Sequence, residues 1–217
     1  MFDTELWSTI FRNKNVDVRP YFLYTTHDGR RVEANLNFLG FGERKISNLA
    51  TEMNKKLRTH IGGINAELIE IYSRKMKFER IELEDKLTLR FRSPIALMSE
   101  TGNISLLPQA SQVLTGLTRS VNRFTKYYAK PSYPIRIKTN LRGLPMPINE
   151  SNLKVFTWKH KAIDQRTISL KGVWGDVTYE LPRNKKELAD LLSLASFFQV
   201  GKWLSYGFGK IEVIENE

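Results

Sequence analysis

Gly201-Lys202-Trp203-Leu204-Ser205-Tyr206-Gly207-Phe208-Gly209-Lys210, followed by the alternating Ile211-Glu212-Val213-Ile214, is the stretch on which the fold turns. Three glycines and two lysines stand between an apolar, helix-like run (188–200) and what reads as a final strand. A helix, a glycine-rich turn carrying cations and aromatics, then a strand is an order that presents backbone N–H groups beside positive charge. Such a loop suits the approach of a phosphate backbone. The same residues also fit a helix stop at Gly201 and a tight turn over 207–209. Both readings are open from this stretch alone.

Working outward, the second half of the chain reads as β-α-β-β-α-β. Residues 83–92 alternate, with Leu87, Leu89 and Phe91 set against Thr88, Arg90 and Arg92, as a half-buried strand requires. Residues 108–128 form a long helix, and 135–139 and 154–158 are short strands around a connection containing Pro145 and Pro147. Residues 168–180 are a longer strand interrupted by Gly172 and Gly175; 185–200 are the last helix and 210–214 the last strand. The first half has a similar grammar. A short helix spans 4–12, and strands over 18–24 and 31–39 turn at His27-Asp28-Gly29. An amphipathic helix runs from Lys45 to His60 with Ile46, Leu49, Met53 and Leu57 on one face and stops at Gly62-Gly63, and a strand covers 64–72. Each half approximates the split βαβ, or ferredoxin-like, pattern. The expectation is an α+β fold of tandem ferredoxin-like domains, residues 1–82 and 83–217, the first lacking its opening strand.

Composition narrows the function. The chain has 217 residues, a formal net charge of +11 and an apolar content of 41%, which favours a polyanionic partner and allows substantial cores. The absence of cysteine excludes disulfides, a thiol nucleophile and cysteine-based zinc sites. Three histidines, His27, His60 and His160, are not spaced as a metal pair, and neither a metal nor another cofactor is expected. No apolar run approaches the ~20 residues that span a bilayer, and the N-terminus lacks a signal-peptide pattern; no membrane partner and a cytoplasmic location are expected.

Charge is also distributed unevenly. From Thr101 through Asn149 there is no Asp or Glu, while Arg119, Arg123, Lys126, Lys130, Arg136, Lys138 and Arg142 all lie there. Arg119, Arg123 and Lys126 recur at i, i+4, i+7 and share one helix face. Solvated faces usually mix signs, because like charges one turn apart repel. An unrelieved basic face therefore points to phosphates. Arg119, Arg123, Lys126, Arg136, Lys138 and Arg142, with Gly201, Lys202, Ser205, Gly207, Gly209 and Lys210 of the loop, are the candidate nucleic-acid-binding residues. Tyr21, Tyr24, Trp203 and Tyr206 are candidates for stacking bases or for the core.

Leu170-Lys171-Gly172-Val173-Trp174-Gly175-Asp176-Val177-Thr178-Tyr179, then a helix, then the loop from Gly201 to Gly209, resembles the CRISPR-associated RAMP superfamily. The similarity is greatest to the endoribonucleases that cut precursor CRISPR RNA within its repeats. Leu87-Thr88-Leu89-Arg90-Phe91-Arg92-Ser93-Pro94 resembles the family's inter-domain strand, and Arg19-Pro20-Tyr21-Phe22-Leu23, more loosely, its early strand. The resemblance implies tandem ferredoxin-like domains, binding of CRISPR repeat RNA, and cleavage without a metal. It leaves room for two further partners, subunits of a CRISPR effector complex and a second copy of the chain.

Metal-free cleavage uses the RNA's own 2′-hydroxyl as nucleophile and needs a group of near-neutral pKa to move protons, with cations or N–H donors around the phosphate. Relatives often carry a histidine near the end of the first helix. The matching stretch here, Arg12-Asn13-Lys14-Asn15-Val16-Asp17, has none. His27, from the hairpin, is one replacement; Lys14, with Arg12, is a second, as a phosphate stabiliser. A member that binds without cutting is the third reading. His60 reads as a helix C-terminal residue. His160, between Lys159 and Lys161, reads as part of a binding surface.

Overall fold

The structure, a computed structural model, describes residues 21–27, 32–38, 47–48, 51, 58–61, 64–67, 80–128, 145–161, 165–182 and 186–214. The chain divides into two compact units, one of residues 1–21 and 38–77, the other of residues 22–37 and 78–217. The helix expected over 4–12 and the strand expected over 135–139 lie outside the described residues.

In the first unit, residues 47, 48 and 51 are helical, and the Thr51 hydroxyl donates to the Ser47 carbonyl one turn back, at 2.9 Å. That helix does not run to His60. Strand β3 (Arg58–Ile61) pairs antiparallel with β4 (Ile64–Glu67), Arg58 opposite Glu67 and Ile61 opposite Ile64. The helix stop expected at Gly62-Gly63 lies outside the described residues. The β-branched Thr59, Ile61 and Ile64 on either side favour strands. His60 lies opposite Asn65 in that ladder and is not a helix-terminal residue.

The second unit contains most of β1 (Tyr21–His27) and β2 (Val32–Phe38), which pair in a two-stranded sheet. His27 is the last residue of β1 and lies within the strand, not in the turn. The main sheet has the order β6-β7-β5-β8, every neighbouring pair antiparallel, with β5 Lys86–Ile95, β6 Ile148–Lys161, β7 Thr167–Glu180 and β8 Ile211–Ile214. Helix α1 (Ala110–Tyr128) follows β5, and α2 (Lys186–Leu192) precedes β8. The succession is β-α-β-β-α-β, so the α+β class is observed.

The alternation read from β5 sets the two faces of the sheet. Leu87, Leu89, Phe91, Val177 and Tyr179 are fully buried on one. On the other, Thr88 meets Thr178 at 3.0 Å, Arg90 grips both oxygens of Asp176 at 2.9 and 3.0 Å, and Arg92 reaches Glu212 at 2.6 Å. Helix α1 buries Ala110, Val113, Leu114, Leu117, Val121 and Phe124, one stripe at helical spacing. The Tyr179 hydroxyl donates to the Pro108 carbonyl at 2.7 Å just before the helix begins, and burial raises its pKa. Gly116 is where Val200 presses on α1: a Cβ there would stand 2.5 Å from the Val200 side chain.

Three expectations need correction. Gly172 and Gly175 do not interrupt β7; both stay in register with β6, and they admit the backbones of Ile95 and Asn152 where a side chain has no room. Strand β6 is far longer than 154–158, because β7 pairs with it from Ile148 opposite Tyr179 to Lys161 opposite Thr167. The last helix stops at Leu192 instead of running to Val200. Tight i→i+3 turns follow, with Ala195 N–H on Leu192 O at 2.8 Å and Phe197 N–H on Leu194 O at 3.0 Å. The cause is tertiary: Gln199 forms an isolated antiparallel bridge with Lys210, which a continuing helix would forbid. Among the described residues no helix is long and apolar enough to cross a membrane.

Candidate nucleic-acid interface

The glycine-rich loop is built from its backbone. Gly201 (φ +101°) and Gly209 (φ +89°) occupy the left-handed region that side chains disfavour. A Cβ on Gly201 would stand 2.6 Å from the Ala96 carbonyl oxygen, and one on Gly209 would strike the Val200 carbonyl. Close approach lets Lys202 N–H donate to Ala96 O at 2.9 Å, Val200 N–H to Gly209 O at 2.8 Å and Gly209 N–H to Pro94 O at 2.9 Å. Gln199 Nε2 donates to Phe208 O at 2.7 Å, and Lys210 N–H to Ser93 Oγ at 2.9 Å. Between them lies a short 3-10 turn, Leu204–Tyr206, closed by Gly207 N–H on Leu204 O at 3.0 Å.

The loop therefore does not offer the bare row of N–H groups that its glycines alone suggest. The amides of Lys202, Gly207, Gly209 and Lys210 are spent inside the fold. Its glycines permit tight packing, and what the loop displays outward is side chains. Lys202 is exposed, and Tyr206 is 42% exposed. Lys210 instead turns inward, its ammonium donating to the Ser196 carbonyl, and burial brings its pKa down to about 8.

Aromatic contacts tie this loop to the far end of the β6–β7 hairpin. Phe208 is buried against Trp203, ring centres 5.6 Å apart, and against Phe156 of β6 at 5.8 Å. Ala96, Leu170 and Phe208 form a small core there, with Ile104, Phe156, Ile168 and Trp203 packed on it. Trp203 holds φ +60°, a costly conformation for a bulky residue, immediately before the turn that carries Tyr206. Farther along β6, Trp158 meets Tyr206 edge to face at 6.4 Å. Lys154 lies over the Trp174 ring at 5.6 Å. Reading the sequence alone passed over Trp158, Trp174 and Lys154. The signal was the alternation Lys154, Phe156, Trp158 on one side of β6, visible once the strand is known to run to Lys161.

Among the described residues, charge around this end has one sign. Lys154, Lys159, Lys161, Arg166, Lys171 and Lys202 are all exposed, and no carboxylate side chain lies among the described residues of 154–175 and 196–210. A second basic face is on α1, where Arg119, Arg123 and Lys126 are exposed opposite the buried stripe. By contrast, the open face of the sheet over β5 neutralises itself. Hydrogen bonding from the Arg90 guanidinium holds the Asp176 carboxyl below the usual carboxylate range, and Arg92 pairs with Glu212.

His27 is placed at the end of β1. Ser205 is in the 3-10 turn. Lys14, Arg136, Lys138 and Arg142 lie outside the described residues. Among the described residues no group of three or more His, Asp or Glu side chains gathers as a metal site.

An α+β chain of split βαβ order, carrying a glycine-framed loop and two basic surfaces, has the build of a nucleic-acid-binding protein. A family model described as CRISPR-associated endoribonuclease Cas6 matches residues 89–211, more than half of the chain. The chain belongs to the Cas6 family of CRISPR RNA-processing proteins. Solved structures agree at the level of the fold. The Cas6 protein TTHB231 of Thermus thermophilus, in a product complex, superposes with a TM-score of 0.68 at 16% identity, over 97% of this chain and 90% of that one. A Cas6 TTHA0078 product complex gives 0.65 at 18% identity, over 98% and 90%. The same protein in a substrate-mimic complex gives 0.58 at 19% identity, over 90% and 85%. No curated protein matches the chain by sequence.

Proposed function

We propose that this protein binds CRISPR repeat RNA and cuts it by metal-independent attack of the RNA's own 2′-hydroxyl on the adjacent phosphate. The match of residues 89–211 to an endoribonuclease family carries this reading. The basic face of Arg119, Arg123 and Lys126 tracks the phosphate backbone, and Arg136, Lys138 and Arg142 are further RNA-binding residues of this reading. In the glycine loop Lys202 and Ser205 contact RNA, while Gly201, Gly207, Gly209 and the inward-turned Lys210 hold the loop in shape. A histidine titrates near pH 6.5, so His27 moves the proton, and Lys14 stabilises the crowded phosphate.

The reading includes two ferredoxin-like domains, residues 1–82 and 83–217. The β-α-β-β-α-β order from β5 to β8 and the antiparallel 4-1-3-2 order of that sheet support the second of them. Association with effector-complex subunits and formation of a homodimer are further partnerships of this reading, and sizing with and without RNA tests them.

One observation favours a second reading: Arg12 to Asp17 contains no histidine where relatives often have one. A catalytically silent RNA-binding subunit would look the same there. Incubation with repeat RNA in EDTA separates the two. Product that disappears in Lys14→Ala or His27→Ala, with binding retained, supports the enzyme. Tight binding without product at any pH leaves only the binder.

A further inference from the structure

We infer that Trp158 and Tyr206 form a stacking platform for one unpaired nucleobase of the bound RNA. The inference rests on the RNA-binding reading and adds to it a residue-level subsite. Trp158 comes from the distal part of β6 and Tyr206 from the loop before β8, so two segments distant in sequence deliver one aromatic pair. The rings meet edge to face at 6.4 Å, yet Trp158 remains 44% and Tyr206 42% exposed. Their neighbours on the same side behave differently: Phe208 is buried and Leu170, opposite Trp158 on β7, is fully buried. Folding thus buries Phe208 and leaves Trp158 and Tyr206 at the surface, as it also leaves Trp174 beneath Lys154.

The loop backbone fixes where Tyr206 stands. Trp203 is held at φ +60°, its ring locked on Phe208, and Tyr206 N–H donates to Trp203 O at 2.8 Å. A left-handed tryptophan is strained, and such conformations persist only where the surroundings over-determine them. Pre-positioning one aromatic tip against another is what that conformation achieves here. Lys154 lies on the same face of β6 as Trp158, over the Trp174 ring, and the exposed Lys202 stands in the same loop as Tyr206, whereas Lys159 and Lys171 alternate to the other face of the sheet. Aromatic rings beside a one-signed cationic surface match a single strand, where phosphates pair with cations and bases lie on rings. Stacking accepts any base, so the platform selects for an unpaired nucleotide and not for its identity. It thereby sets which part of the repeat, paired or unpaired, meets the loop.

The test is an equilibrium binding series with repeat RNAs in which each unpaired nucleotide in turn is made abasic. Trp158→Ala and Tyr206→Ala are each expected to weaken intact repeat RNA about tenfold, with an unchanged salt slope, because no phosphate contact is lost. One abasic RNA should weaken wild type by the same factor and weaken Trp158→Ala no further. Trp158→Phe, keeping a ring, should retain most of the affinity, and equal melting temperatures should show that the variants fold. Alanine variants that bind intact RNA like wild type, or that lose affinity equally for every abasic RNA, would overturn the platform. If wild type shows no preference for repeat RNA over unrelated RNA of equal length, the RNA-processing reading itself falls, and the platform with it.

Discussion

The Cα of Gly201 approaches the carbonyl of Ala96 so closely that a Cβ would lie 2.6 Å from its oxygen, and that oxygen accepts the Lys202 N–H at 2.9 Å. The glycine and the hydrogen bond are one device. It locks the start of the loop to the chain leaving β5, and it fixes where Lys202 and the aromatics emerge.

Gly201→Ala is therefore expected to destabilise by roughly 2–4 kcal/mol, combining left-handed strain with a backbone clash. Gly102 provides the control. Its φ is +80° but nothing lies within 4 Å of where a Cβ would stand, so Gly102→Ala should cost only the strain, about 1 kcal/mol. Urea unfolding midpoints of the two variants would measure the difference; equal losses would contradict the account of the loop.

Lys210 carries a pH signature. Its folded pKa is about 8 against 10.5 for an ordinary lysine, because burial penalises the charged form. Between those values the unfolded chain binds more protons than the folded one, so this residue's contribution rises with pH across that window. Melting temperatures of wild type and Lys210→Met followed from pH 7 to 10 should diverge, wild type gaining relative to the variant as pH rises.

Arg90 and Asp176 give a pH dependence of the same sign in the acid range. Hydrogen bonding from Arg90 depresses the Asp176 pKa, so the pair's stabilisation is present above about pH 4 and is lost as pH falls through the lower folded value. Both side chains are more than a third exposed, which keeps the effect small. Asp176→Asn should lower the melting temperature slightly at pH 7, and the gap should close toward pH 2.

Much of this architecture is legible from residue order alone. Leu87, Leu89 and Phe91 alternate cleanly, and the α1 stripe from Ala110 to Phe124 keeps helical spacing, so both elements follow from local pattern. The failures have tertiary causes. Gln199 is drawn out of a helix by pairing with Lys210, and the polar residues of 148–153 join β6 only because β7 lies beside them. The site divides similarly. A basic helix face can be counted from sequence, but glycines that cradle a phosphate and glycines that admit a carbonyl have the same spelling. Trp158 stayed unread because its meaning depends on Tyr206, 48 positions later.

The α1 face offers a direct electrostatic test. Arg119, Arg123 and Lys126 project from the side of the helix opposite its buried stripe. Replacing all three with alanine should leave the melting temperature nearly unchanged. The slope of log affinity against log salt should become shallower by roughly 2, if each residue neutralises a phosphate at about 0.7 per contact. An unchanged slope would remove this face from the RNA path.

The central claim is cutting by the RNA's own 2′-hydroxyl. The most direct measurement compares intact repeat RNA with the same RNA carrying a single 2′-deoxynucleotide at the cleavage position, both in EDTA, with the product ends analysed. The account predicts cleavage of the intact RNA to a 2′,3′-cyclic phosphate and a 5′-hydroxyl, and none of the deoxy-substituted RNA. Cleavage of both RNAs, or of neither while both bind tightly, would contradict it.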